Sequence, residues 1–217
     1  MKTSALRRIK LCVASISLAL TLPLTLHGCG GGGDGRDNLG AEQLASSAPL
    51  PDIDVPVLIS DGIFGAKTWD DGSTISGGQG KPIGNINCLV NENYHIHSHL
   101  TIIREGRVLA IPKNIGLQGC AYEVHTHDAT GYIHIETQSY HRITLGDFFA
   151  VWGQPLSETN VANLSIQPIA IYIVDNGKIS LYKGNPADIE LLAHREITIV
   201  LGNLLSKIPT FQWPSQL

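Results

Sequence analysis

Three short stretches concentrate residues that could do chemistry. YHIHSHL (94–100) sets His95, His97 and His99 on alternate positions; EVHTHD (123–128) and YIHIE (132–136) add His125, His127, His134, Glu123 and Glu136. Seven of the nine histidines lie between positions 95 and 141. Alternate residues of a strand share a face, so His95, His97 and His99 project together while Ile96, Leu100 and Ile102 turn toward a core. By the same alternation Glu123, His125 and His127 share one face, and Tyr132, His134 and Glu136 share another. On neighbouring strands these faces would bring five or six imidazoles together. Neutral rings crowded without a cation leave donors and acceptors unmatched, and protonated rings repel one another. A divalent ion removes both difficulties, and histidines two apart on a strand supply paired ligands at about 2.0–2.1 Å to zinc. The expected direct ligands are His97, His99, His125, His127 and His134, with His95 and Glu136 completing or supporting the site. The contrary expectation is a polar strand face open to solvent.

Other residues near the cluster read differently. His141, just before a predicted helix, is an outer ligand or a capping residue, and His194 sits in a turn. Phe148, Phe149 and Trp152 fall at helical spacing and are expected in the core. Asp128 is read as the turn residue of DATG, with a supporting bond to His127 as the alternative.

For the histidine faces to meet, the chain must be built largely of strands. Residues 94–104 alternate, Glu105 to Arg107 turns and Val108 to Pro112 returns, which predicts a hairpin. An irregular crossing leads to short strands at 121–127 and 132–136 around DATG. Thr144 and Asp147 form a capping-box pattern opening the one helix, TLGDFFAVWG, which Gly153 and Pro155 stop. IAIYIV and KISLY flank Asp175-Asn176-Gly177, a second hairpin, and REITIVLG supplies a last strand.

Ahead of this lies a leader. Lys2, Arg7, Arg8 and Lys10 precede an apolar run from Leu11 to Leu26 that is too short to span a bilayer, the pattern of a secretory signal. Its end, Leu26-His27-Gly28-Cys29, resembles the lipobox of bacterial lipoproteins. That resemblance implies a signal peptide over residues 1–28, a lipidated (palmitate-bearing) Cys29 and membrane anchoring. Gly30, where aspartate would retain the protein at the inner membrane, implies the outer membrane, facing periplasm or surface. Residues 29–56 are rich in Gly, Ser, Ala and Pro and are expected to be a flexible tether, leaving 57–217 as a single β-rich domain.

Without the leader the chain carries eleven Lys and Arg against nineteen Asp and Glu, a net of −8 that repels phosphate backbones and excludes nucleic acid as a partner. Cys12 leaves with the leader and Cys29 carries lipid, so Cys88 and Cys120 remain. In an oxidising compartment they are expected to form a disulfide closing a loop of about thirty residues, stabilising by roughly 3 kcal/mol; two thiolate metal ligands are the alternative. With Met1 removed and the cysteines bonded, soft Cu(I) chemistry is disfavoured. Imidazole with carboxylate suits zinc or copper foremost, with iron also possible.

The order hairpin, insertion, helix, hairpin, final strand is that of a β-grasp domain, and ADIELLAHREITIVLG resembles the closing strand of that superfold. The expected class is α+β and mostly β, with a β-grasp-like sheet, one short helix and a histidine-bearing insertion; a β-sandwich is the alternative. Ala193-His194-Arg195 stands where that superfold usually has an acidic turn. The pattern HxHxHL … HTHDxxGxIHxE … TLGxFFxVWGxPL over residues 95–156 resembles uncharacterised secreted bacterial proteins, which implies one structural unit and no particular activity. Three functions are compatible: a lipoprotein that captures, buffers or delivers a divalent ion; a metalloenzyme with Glu136 or Glu123 as general base; and a β-grasp interaction module without metal, its histidines incidental or pH-sensing. No GxSxG, phosphate loop, dinucleotide fingerprint or HExxH names a reaction.

Overall fold

The computed structural model describes residues 48–75 and 77–213. The leader, Cys12, Cys29 and the tether as far as residue 47 lie outside the described residues. In chain order the elements are β1 (Asp52–Ile53), β2 (Ala66–Lys67), α1 (Gly72–Ile75), β3 (Tyr94–Arg104), β4 (Arg107–Ala110), β5 (Val124–His125), β6 (Tyr132–Thr137), α2 (Leu145–Trp152), β7 (Ile169–Asp175), β8 (Lys178–Tyr182), a 3-10 turn at Pro186–Asp188, β9 (Glu196–Leu201) and β10 (Lys207–Ile208). Among the described residues the protein is mostly β, and none of its helices is long and apolar enough to cross a membrane.

Strand β3 is the hub. Its second half pairs in parallel with β9 on one edge, while the other edge takes β6 along residues 94–99 and then β4 along 102–104, both antiparallel. The main sheet runs β2-β4-β3-β9-β7-β8, and β5 joins through β6 beside the first half of β3. Two tight turns set the register of the hairpins. Glu105-Gly106 and Asn176-Gly177 all have positive φ, which matches the right-handed twist of the strands they join. The pairing of β5 is shorter than the strand expected over 121–127, because the crossing loop claims the rest: Asn114 N–H donates to Thr126 O and Tyr122 N–H to Gly116 O.

Ile102, Ile133, Ile135, Ile171, Ile173, Ile197 and Ile199 meet α2 on one side of this sheet. Each such burial contributes roughly 1.5–3 kcal/mol relative to exposure. Helix α2 starts as its sequence predicts: Thr144 Oγ1 accepts from Asp147 N–H and Asp147 returns a carboxylate oxygen to Thr144 N–H. Gly153 closes it at φ 75°. Phe148, Phe149 and Trp152 are all core.

On the other face the two ends are covered differently. Ala170, Tyr172, Val174 and Val200 pack beneath Ile208 and the residues around β10. Strand β1 pairs in parallel with β10, so among the described residues strand pairing starts at Asp52, within the stretch expected to be tether. Its backbone hydrogen bonds to the 206–210 segment order residues whose composition alone gives them no reason to order. The first half of β3, with β6 and β5, carries histidines on this same face. Cys88 and Cys120 are bonded to each other, so neither sulfur is a thiolate ligand.

Candidate metal centre

Register brings the imidazoles together. His97 stands opposite His134 across β3 and β6, His125 stands opposite the same His134 across β5 and β6, and His95 faces Glu136. Direct opposition in a ladder is the closest approach side chains of neighbouring strands make. Three strands therefore deliver one row, His97, His134, His125, with Glu136 and His95 one step along it. His127 lies just past the end of β5 and reaches back to the row.

The donor atoms converge. His95 Nε2 lies 3.0 Å from His97 Nε2, and His97 Nε2 lies 2.9 Å from His134 Nδ1. His125 Nε2 is 3.2 Å from His127 Nε2. One carboxylate oxygen, Glu136 Oε1, stands 3.2 Å from His95 Nε2, 3.5 Å from His134 Nδ1 and 3.7 Å from His125 Nε2. Donors about 2.1 Å from a tetrahedral ion sit about 3.4 Å from one another, so these groups lie within reach of a common cation, the shortest pairs being also at hydrogen-bond distance. Three overlapping groups, each within 4.8 Å, can hold a metal ion: His125, His127, His134 and Glu136; His95, His97 and His134; and Glu92, His95 and Glu136.

His97, His125 and Glu136 are buried, His134 is half-buried, and His95 and His127 are exposed at the rim. Burial drives the electrostatics. It lowers the pKa of His97 and His125 to about 4 and of His134 to about 2, helped in all three by the surrounding imidazoles and opposed in His125 by its bond to Tyr122 O. The same burial raises Glu136, opposed by His95. Near neutral pH these rings are therefore uncharged, the state that binds metal. His125 is further prepared, because its Nδ1–H donates to Tyr122 O at 2.8 Å and leaves the lone pair on Nε2.

His99, expected among the ligands, is set apart. It is fully buried; Nε2–H donates to Thr130 O at 2.9 Å, and Nδ1 lies 3.4 Å from Thr101 Oγ1. Its ring stacks on Phe211 with centroids 3.6 Å apart. Both nitrogens are committed, and burial takes its pKa down to about 3. Gly131, at φ 98°, lets the chain pass: a Cβ there would meet Leu100 O at 2.4 Å and the His99 ring at 3.1 Å.

The remaining candidates sort by what they touch. Glu123 Oε2 accepts from Asn87 N–H at 2.8 Å and lies 3.9 Å from His141 Nε2, so Glu123 and His141 pair outside the three donor groups. Of the two proposed general bases, Glu136 is the one within the cluster. Asp128 Oδ1 accepts from Thr130 N–H at 3.0 Å and from the Thr130 hydroxyl, which makes it the turn residue. His194, at φ 58°, stacks on Trp213 and donates its backbone N–H to His97 O.

Two contributors had little or no sequence signal. Glu92 precedes β3, outside any strand, where alternation assigns no face, and the Tyr122 carbonyl that orients His125 is backbone. Compared with known proteins, the chain gives no significant match to a family model, a curated protein or a solved structure.

Proposed function

We propose that this protein is a lipid-anchored protein of the bacterial cell envelope that binds a divalent transition ion through His125, His127, His134 and Glu136, to capture, buffer or deliver it. One observation carries the reading: the fixed tautomer of His125. Because its Nδ1–H is spent on Tyr122 O, the Nε2 lone pair faces Glu136 Oε1 at 3.7 Å and His127 Nε2 at 3.2 Å. Lone pair and carboxylate repel at low dielectric unless a proton or a cation lies between them, and an ion held by His125, His127 and Glu136 together relieves all three contacts at once. Three imidazoles and a carboxylate suit zinc or copper foremost and accommodate iron. His127 and His95 at the rim give an ion a path from solvent, as capture and release require.

Anchoring through Cys29, and with it an outer-membrane position, rests on the lipobox pattern at Leu26 to Cys29. We read the sheet as a β-grasp. Support comes from hairpin β3/β4, helix α2, hairpin β7/β8 and strand β9, with β9 parallel to β3 at the centre. In that frame β5 and β6 are an insertion that brings histidines to the first strand.

Elemental analysis of the full chain, extracted from membranes and equilibrated with zinc, tests both parts. At least one ion per chain is expected in the parent. His125→Ala is expected to lower retention at least a hundredfold, while Cys29→Ser loses lipid labelling and keeps its metal. A parent that retains no zinc or copper sinks the metal reading, and undiminished labelling of Cys29→Ser sinks the anchor.

A further inference from the structure

We propose that the cluster holds two divalent ions bridged by Glu136, an inference that rests on the metal reading above. The first ion is held by His125, His127 and His134. The second is held by His95 and His97, with Glu92 as a further donor at the rim.

The donor count argues first. Zinc takes four ligands, and bonds of about 2.1 Å keep any two of them within about 4.2 Å of each other. Five imidazoles and two carboxylates exceed one such shell, and they divide into overlapping groups rather than one. His95 belongs to both groups that omit His125 and His127, and Glu136 joins a group on each side.

Hydrogen bonding then favours a second ion once the first is bound. His97 is buried, and its Nε2 stands 3.0 Å from His95 Nε2 and 2.9 Å from His134 Nδ1. A single ring nitrogen carries either one proton or one lone pair, so it cannot satisfy both neighbours. Once His134 Nδ1 gives its lone pair to the first ion, it no longer accepts from His97. His97 is then left with His95, whose nitrogen is also drawn to Glu136 at 3.2 Å. A cation between His95 and His97 takes both lone pairs and turns the crowding into coordination.

Charge is the obstacle. Two dications in adjacent sites repel, and two-metal sites typically hold their ions roughly 3.5–4 Å apart by sharing an anionic ligand. Glu136 supplies that anion from the buried floor, its Oε1 lying 3.2 Å from His95 Nε2 on one side and 3.7 Å from His125 Nε2 on the other, and Glu92 adds a second negative charge at the open side.

The test uses the full chain in detergent, stripped with a chelator and titrated with zinc, bound metal being counted by elemental analysis. Two ions per chain are expected. His95→Ala combined with His97→Ala is expected to leave one, bound within about tenfold of the parent's tighter site. Loading with Cu(II) instead should give spin-coupled copper with reduced paramagnetic intensity per ion. One zinc per chain overturns the two-ion inference and leaves the single-site reading standing; no zinc overturns both. Two ions whose copper counterparts are magnetically isolated also overturn it, because they would occupy separate places. The parent's copper spectrum decides even where the double variant fails to fold.

Discussion

His97 and His99 sit two residues apart on one strand and point to the same face, yet they belong to two different regions. At His99 the segment carrying Phe211 and Trp213 lies across the sheet. It stacks Phe211 on the imidazole, sets the Trp213 ring 5.3 Å from that of Tyr132, and donates Phe211 N–H to Glu196. His97 is buried too, but its ring meets other imidazoles, those of His95 and His134. The same side chain is a core residue in one place and a candidate metal donor in the other. What differs is the covering chain and whether a backbone carbonyl is within reach of the ring: Thr130 O takes the proton of His99, whereas His97 finds only other nitrogens.

The sharpest way to break that distinction is to truncate one histidine from each region. His134→Ala removes the donor shared by two of the three groups and is expected to cost at least a hundredfold in zinc affinity, with little loss of apo stability. His99→Ala should do the reverse. It opens a cavity under Phe211 and leaves Thr130 O without its donor, costing about 3 kcal/mol, while zinc stoichiometry stays that of the parent. Chelator competition and urea unfolding on both variants separate the two effects. A His99→Ala protein that folds but loses its metal would place His99 with the donors after all.

That contrast also marks how far the sequence could be read. Strand alternation put His95, His97, His125, His127, His134 and Glu136 on shared faces, and the capping box and the Asn-Gly hairpin located α2 and β7/β8, because these are local patterns with local causes. Alternation gives a face and is silent about what covers it. His99 was therefore grouped with its neighbours, because the residue that buries it, Phe211, lies over a hundred positions away. The pairing of Asp52–Ile53 with Lys207–Ile208 was hidden for the same reason. Nor does composition show that β6 pairs with both β3 and β5, the fact that turns three strips of histidine into one cluster.

A smaller effect sharpens the comparison through pH. His97, His125 and His99 have folded pKa values of about 4, 4 and 3, below the roughly 6.5 of an unfolded histidine. Their contribution to apo stability is complete above about pH 6.5 and is lost as pH falls toward those values. Glu196, beneath the covering segment, behaves oppositely. Burial pushes its pKa up to about 7, against the Phe211 N–H and the Trp213 side chain, which pull it down. A raised carboxyl pKa favours folding below the unfolded value and loses that contribution as pH rises through about 7. Glu196→Gln is therefore expected to stabilise the apo protein by on the order of 1 kcal/mol at about pH 8 and to change nothing near pH 4.5. Urea midpoints at the two pH values check it, and an equal change at both would mean that burial of the charge is not what limits this region. Zinc should carry the histidine-dependent stability to lower pH, because protons must then compete with the ion.

The smallest expected effect lies at the border between the two regions. His194 stacks on Trp213 with centroids 4.6 Å apart and gives its backbone N–H to His97 O at 2.8 Å, yet it belongs to none of the donor groups. Its ring is exposed, so losing the stack costs under about 1 kcal/mol, and its backbone hydrogen bond survives any substitution except proline. The φ of 58° adds a second term: a left-handed backbone costs a residue with a Cβ about 1 kcal/mol that glycine avoids. His194→Gly should thus be at least as stable as His194→Ala, by up to about 1 kcal/mol, and both should bind zinc as the parent does. Urea midpoints rank the two variants, and chelator competition reads their affinity. A tenfold loss of zinc affinity in His194→Gly, with its fold intact, would move His194 from the covered region into the open one and extend the donor row across β9.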